Sequence, residues 1–135
     1  MDVLLSIKPE HVANIVNGTK RFEFRRKVFS KDVSKVVIYC TKPVGKIVAE
    51  FIIERILEGS PEEIWNETRE ASGISRDFFD SYFDGRDTAF AIEIGALNVF
   101  DDPIEPCDVV ENFSPPQSYR YLPKLESSKQ FEMTV

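Results

Sequence analysis

The sequence predicts an α+β protein whose sheet is mixed or mainly antiparallel. Of its 135 residues 42% are hydrophobic, including eleven Phe, four Tyr and one Trp, and this content excludes a disordered chain. Apolar and polar residues alternate in several segments, as in half-buried strands, and three short segments have helical spacing. In chain order the segments read strand, helix, strand, strand, strand, helix, helix, strand, which is typical of α+β folds.

The first two segments are a strand and a short helix. The apolar run 3–7 stops before Pro9 and predicts a strand. Pro9 suits the first turn of a helix, and apolar residues three and four positions apart predict that helix over 9–17. Gly18 stands where a left-handed residue ends a helix.

Three strands are predicted next. Phe22 and Phe24 alternate with charged residues, which predicts a half-buried strand with one charged face. The β-branched run 36–40 predicts a second strand. Turn residues follow it, and 46–57 predicts a long third strand.

Two helices and a last strand complete the pattern. Ser-Pro-Glu-Glu at 60–63 carries a capping serine, a proline at the first helical position and a glutamate three residues after the cap. That helix is predicted to run to about Ser72, before Gly73, and a second one to open at Ser75. Residues 88–100 return to strand spacing, and the five prolines from 103 to 123 predict irregular chain beyond it.

The charge is unevenly distributed along the chain. The net charge of −6 argues against indiscriminate binding to nucleic acid. Residues 1–46 hold ten basic and four acidic side chains, net +6, and the rest holds seven basic and nineteen acidic ones, net −12. A positive region on an acidic body suits a selected anionic partner; a solvated basic surface without a partner is the alternative.

Neither a metal nor a cofactor is predicted. Two cysteines, Cys40 and Cys107, and the single His11 are too few for a Cys/His zinc site of four ligands. No apolar run approaches the roughly 18 residues of a membrane span, and the amino-terminal stretch is unlike a signal peptide. We therefore expect a cytoplasmic protein with no membrane partner.

The densest cluster of reactive side chains is Gly18-Thr19-Lys20-Arg21-Phe22-Glu23-Phe24-Arg25. Lys20 lies where the strand begins, and Glu23 and Arg25 share one face of it. Together they offer the charges that hold a base edge and its phosphate, or that shift one another's pKa for acid–base chemistry. The alternative is an exposed Glu–Arg pair worth about 0–1 kcal/mol.

The spacing Gly18-x-Lys20-x-x-Glu23-x-Arg25 resembles the signature of the ASCH domain, a branch of the PUA-like superfamily. Segment 6–9 also resembles the family's usual entry, and the segments 58–61, 72–75 and 115–122 (the last reading Pro-Pro-Gln-Ser-Tyr-Arg-Tyr-Leu) resemble a prokaryotic and phage subgroup. The resemblance implies one domain over residues 1–122, a PUA-like mixed β-barrel with short helices around it. Residues 123–135 would form a tail, predicted to be disordered.

The resemblance also implies a function linked to RNA. Such a domain would bind single-stranded RNA, a nucleotide or a modified nucleobase in a cleft and would act in RNA-linked regulation. The cleft would be lined by Lys8, Lys20, Glu23 and Arg25, with Gln117 and Ser118 brought against it.

A hydrolase is the alternative that the resemblance leaves open. Some ASCH proteins remove the acetyl group of N4-acetylcytidine with a Lys, a Thr and a Glu, and ribonuclease activity is attributed to others. Here Lys20 and Glu23 would be catalytic, although Glu23 replaces that threonine and the third residue is either Glu50 or Glu54. For a ribonuclease, Ser118 or Tyr39 would assist Lys20.

Two further features have alternative interpretations. Phe78, Phe79, Tyr82 and Phe83 have helical spacing and are predicted to be core, with a base-stacking platform as the alternative. The acidic carboxy-terminal two-thirds of the chain could instead engage a protein partner.

Overall fold

The computed structural model describes residues 1–30, 32–116 and 119–122. The strands are β1 (Asp2–Ile7), β2 (Phe22–Arg25), β3 (Lys35–Cys40), β4 (Lys46–Gly59), β5 (Ala89–Ile104) and β6 (Tyr119–Leu122). The helices are α1 (Pro9–Val16), α2 (Pro61–Thr68), α3 (Arg76–Tyr82) and α4 (Pro106–Val109), and a 3-10 turn follows α2 at Arg69–Ala71. The predicted α+β class is confirmed.

The six strands are hydrogen-bonded in the order β2-β5-β4-β3-β1-β6. β1 pairs with β3 in parallel, with Leu4 opposite Val37. The pairs β1–β6, β2–β5 and β3–β4 are antiparallel. The sheet is therefore mixed, because the connection from β1 to β3 crosses over while other neighbours run in opposite directions.

Two element boundaries differ from the sequence-based prediction. α2 ends at Thr68 rather than near Ser72, and the Thr68 hydroxyl donates to the Ile64 carbonyl oxygen at 2.8 Å as the chain tightens into the 3-10 turn. The prediction of irregular chain beyond residue 100 is wrong, because β5 continues to Ile104. Pro106 then opens α4, at a first helical position where its missing N–H costs no hydrogen bond.

The described chain groups into two compact units, and β4 and β5 run through both. The first unit takes in the described residues of 1–9, 31–52 and 96 onward. It has a core of apolar side chains from its strands and from α4: Leu4, Val37, Tyr39, Ile47, Val109, Val110 and Leu122.

The second unit, Glu10–Ser30 and Ile53–Gly95, has a core of its own. Its buried members are Phe22, Phe24, Ile64, Phe79, Phe83, Ala89 and Ala91. Phe79 is fully buried and packs edge to face on Phe24, with ring centroids 5.3 Å apart. The helical aromatic residues are thus largely core, as their spacing predicts, although Phe78 is 43% exposed.

No helix in the described ranges is long and apolar enough to cross a membrane. The same ranges contain no group of three or more His, Cys, Asp or Glu side chains arranged to hold a metal ion.

Candidate functional site

The end of α1 positions Lys20. Gly18 adopts a left-handed conformation with φ of 87°, as its place after the helix predicts. The Gly18 amide donates to the Ile15 carbonyl oxygen at 3.2 Å, and the Lys20 amide donates to that of Asn14 at 3.0 Å. The backbone of Lys20 is therefore tied to α1, and β2 starts two residues later.

Lys20 is a buried lysine, with 3% of its surface exposed. Its Nζ donates to the Ser72 carbonyl oxygen at 3.1 Å and lies 4.7 Å from the centre of the Phe24 ring. Burial lowers the pKa of Lys20; the Glu23 carboxylate partly offsets this effect, and the Arg25 guanidinium adds to it. A larger share of neutral amine follows at a given pH than for an exposed lysine.

The segment 71–73 lies directly against the start of β2. The Arg21 amide donates to the Ala71 carbonyl oxygen at 2.8 Å, and the Asn14 Nδ2 donates to that of Gly73 at 3.3 Å. Gly73 has φ of 70°, and a Cβ added there would lie 2.4 Å from Lys20 Cβ. Only glycine therefore allows this segment to approach Lys20 so closely.

Glu23 and Arg25 form an ion pair beside Lys20. Arg25 Nη2 lies 3.0 Å from Glu23 Oε2, and the two side chains are 12% and 10% exposed. They share the charged face of β2 that the sequence predicts, and Glu23 on that face is buried, unlike the exposed pair of the alternative interpretation. The antiparallel pairing of β2 with β5 holds both residues at their backbones, opposite Phe90 and Ile92.

Tyr82 borders the same charged group. Burial raises the pKa of its hydroxyl, the charge of Arg25 opposes that rise, and the charge of Glu23 adds to it. The hydroxyl of Tyr82 is thus within electrostatic range of the Glu23–Arg25 pair. The helical spacing of Tyr82 predicts a core residue, and spacing carries no information about its hydroxyl group.

The structure therefore brings three of the six predicted site residues together: Lys20, Glu23 and Arg25. Lys8 belongs to the first unit, where it is exposed just after β1. Gln117 and Ser118 lie outside the described residues. We call the group of Lys20, Glu23, Arg25 and Tyr82 the motif cluster.

Tyr39, one of the two hydroxyl residues predicted to assist Lys20, belongs to the first unit. It is 4% exposed and its ring centroid lies 5.0 Å from that of Phe113. The β3–β4 register shifts next to it, between Ile38 and Tyr39. A Cβ added at Gly45, in the following turn, would lie 3.8 Å from its hydroxyl oxygen. A side chain at position 45 would therefore make only an ordinary van der Waals contact with this hydroxyl.

Comparison with known proteins identifies the family. The family model described as "ASCH domain" matches residues 5–98. This chain belongs to the ASCH domain family. The matched range includes residues 18–25.

Relatives match this ASCH domain over nearly its whole length. It is 30% identical to an "ASCH domain-containing ribonuclease" of Zymomonas mobilis, an alignment covering 98% of this chain and 92% of the relative. The crystal structure of ASCH from Zymomonas mobilis superposes with a TM-score of 0.89 at 29% identity, covering 98% and 94% of the two chains. The N-terminal domain of McrB from Staphylothermus marinus shares the fold alone. It superposes with a TM-score of 0.59 at 12% identity, covering 96% of this chain and 92% of the McrB domain.

Proposed function

We propose that this ASCH domain binds single-stranded RNA through the motif cluster and cleaves it. The relationship to a Zymomonas mobilis protein named as a ribonuclease, which spans nearly all of both chains, supports RNA as the substrate class and cleavage as the reaction. The observation that carries the role of the motif cluster is the burial of Lys20, 3% exposed, beside the Glu23–Arg25 pair.

The chemistry of the motif cluster suits one nucleotide. Glu23 would accept a hydrogen bond from the exocyclic amine of a base, and Arg25 would donate to a phosphate. Burial lowers the pKa of Lys20. The neutral amine of Lys20 can therefore accept a proton from the attacking hydroxyl. The cleavage rate should then rise with pH up to a value below the pKa of an ordinary lysine.

Four residues extend the proposal outside the motif cluster. We assign Lys8, Gln117 and Ser118 to substrate binding on the family resemblance described above. Tyr39, or Ser118 in its place, is the hydroxyl group that we propose to assist Lys20 in cleavage.

Cleavage of end-labelled single-stranded RNA, with its duplex as comparison, tests the proposal. We expect the wild type to cut the single strand, and both Lys20→Ala and Tyr39→Phe to lower the rate at least tenfold while fluorescence of Trp65 shows a retained fold. Arg76→Ala is the control, since Arg76 is an exposed arginine bound to Glu62 and Asp80. A wild type that leaves the strand intact, or variants that cut as fast, would contradict the proposal.

Removal of the acetyl group from N4-acetylcytidine is the second candidate. The buried Lys20, with its lowered pKa, and the carboxylate of Glu23 favour it, since an amide hydrolase needs a proton acceptor near the scissile bond. Mass spectrometry of the nucleoside after incubation would detect the loss of acetyl. Turnover that disappears in Glu23→Gln would support this candidate, and an intact nucleoside would exclude it.

A further inference from the structure

Arg26 follows the last residue of β2 and lies outside the family signature, yet its guanidinium is held in place. Its Nε donates to the carbonyl oxygen of Tyr82 at 2.8 Å. Its Cζ lies 4.2 Å from the centroid of the Tyr82 ring, a cation–π contact. Tyr82 thus contacts both a face and an edge of the exposed guanidinium of Arg26. Because the guanidinium is already held in place, Arg26 would lose less conformational entropy on binding a ligand.

The remaining edge of Arg26 is unused. Within the described ranges, no side chain or carbonyl group accepts a hydrogen bond from its two terminal nitrogens, and no carboxylate pairs with it. Those two nitrogens form the fork that binds a phosphate through two parallel hydrogen bonds.

Arg76 in the same unit shows the opposite arrangement. It is also an exposed arginine over an aromatic ring, 5.5 Å from the centroid of Trp65. However, its terminal nitrogens donate to Glu62 at 2.8 and 3.2 Å, and its Nε donates to Asp80 at 2.9 Å. Protein carboxylates therefore neutralise Arg76, whereas Arg26 keeps its charge for an external anion.

The surroundings of Arg26 favour an anionic polymer. Residues 20–27 hold five basic side chains and one acidic one. Tyr82, which supports Arg26, also interacts electrostatically with Glu23 and Arg25, and Arg26 directly follows Arg25 in the chain. An anion on Arg26 would lie next to a nucleotide held in the motif cluster, as the adjoining phosphate of a strand does.

We propose that Arg26, held by Tyr82, is a subsite for a backbone phosphate of single-stranded RNA, adjoining the nucleotide in the motif cluster. This inference rests on the proposed function. It goes beyond that function by assigning to Arg26 a contribution to the affinity for RNA, separate from cleavage and from recognition of the base.

The test measures the affinity of the full chain for a fluorescent single-stranded RNA with 2′-O-methyl groups, which prevent attack by the 2′-hydroxyl, over a range of salt concentrations. For Arg26→Ala we expect about tenfold weaker binding at low salt. The slope of log affinity against log salt should become shallower by about 0.7, the value of one phosphate contact on a single strand. Arg26→Lys should keep the slope with intermediate affinity, and Arg76→Ala should match the wild type.

The outcomes separate this inference from the proposed function. If the wild type binds and Lys20→Ala weakens binding, but Arg26→Ala matches the wild type, the proposed function stands and the subsite is wrong. If the wild type does not bind RNA, both are wrong. A titration with inorganic phosphate, followed at the Nε–H signal of Arg26 by NMR, identifies the anion: binding of free phosphate without binding of RNA would overturn the RNA subsite and leave a site for a small anion.

Discussion

Gly73 lies against the backbone of Lys20, 53 residues earlier in the chain, so that a Cβ at position 73 would be 2.4 Å from Lys20 Cβ and 2.9 Å from its Cα. Real Cβ atoms do not approach that closely, so the second unit has room for only a hydrogen atom at this point. The contact holds the carbonyl group of Ser72 within reach of the Lys20 ammonium, at 3.1 Å. Gly73 thus helps to position Lys20 of the motif cluster, although it has no side chain.

Gly73→Ala should lower the free energy of unfolding by about 2–4 kcal/mol. Part of this cost is the left-handed conformation at φ of 70°, and part is the displacement of Lys20. Gly18→Ala is the matched control, because Gly18 also has positive φ but no atom lies within 4 Å of its added Cβ. Urea unfolding measures both. Equal losses for the two variants would show that conformation alone matters.

Stability should rise with pH more steeply in the wild type than in Lys20→Met. Burial lowers the pKa of Lys20 in the folded state, so the unfolded chain binds more protons between that pKa and the ordinary one. This contribution is complete above the ordinary lysine pKa and is lost as pH falls through the lowered one. Urea unfolding from about pH 8 to about pH 10 compares the two proteins, in which other groups titrate alike. Parallel curves would contradict a lowered pKa.

Lys35→Met should destabilise the first unit by about 2–4 kcal/mol. The carboxylate of Asp2 is fully buried, and Lys35 Nζ lies 3.6 Å from its Oδ2 and 3.0 Å from Glu50 Oε1. Removal of the Lys35 ammonium leaves the carboxylates of Asp2 and Glu50, which are largely shielded from solvent, without this cation between them. Adding Asp2→Asn should recover part of the loss, and thermal unfolding of single and double variants measures it. No recovery would mean that Lys35 acts by packing.

Ser60→Ala should cost about 1 kcal/mol, the usual loss of a helix cap. The Glu63 amide donates to Ser60 Oγ at 3.2 Å, and the Ser60 amide donates to Glu63 Oε1 at 3.0 Å. Ser60→Asp keeps an acceptor at the cap and serves as control, so it should retain most of the stability. Chemical denaturation followed by Trp65, which lies in α2, reports the difference. An Ala variant as stable as the Asp variant would show that the cap contributes nothing.

The elements that the sequence predicted correctly depend on near neighbours. The capping box at Ser60 and Glu63 needs groups three residues apart, and the helix end at Gly18 needs a single left-handed residue. Alternating Phe22 and Phe24 likewise indicate a strand without reference to its partner. The end of α2 at Thr68 was missed, because the competition between an α-turn and a 3-10 turn depends on packing beyond the segment.

The motif cluster shows the same division. The spacing of Lys20, Glu23 and Arg25, with the family resemblance, was enough to select them and to predict membership of the ASCH family. The spacing could not show that Glu23 is buried or that the pKa of Lys20 is lowered. The groups that exclude water from Lys20 include the segment around Ser72, which is remote in sequence, and the ring of Phe24 in β2. Nor could the spacing find the support of Arg26, because Tyr82 is 56 residues away.

By itself, then, the sequence determined the class of fold, the starts of its first three helices, the end of α1 at Gly18, and three side chains of the motif cluster. Each of these follows from residue type and spacing within a few positions, where backbone sterics and hydrogen bonds act. Only the tertiary structure decided which charges are buried, which arginine is neutralised and which remains available. Those properties depend on solvent exclusion and on distances between segments remote in sequence, which a linear pattern does not contain.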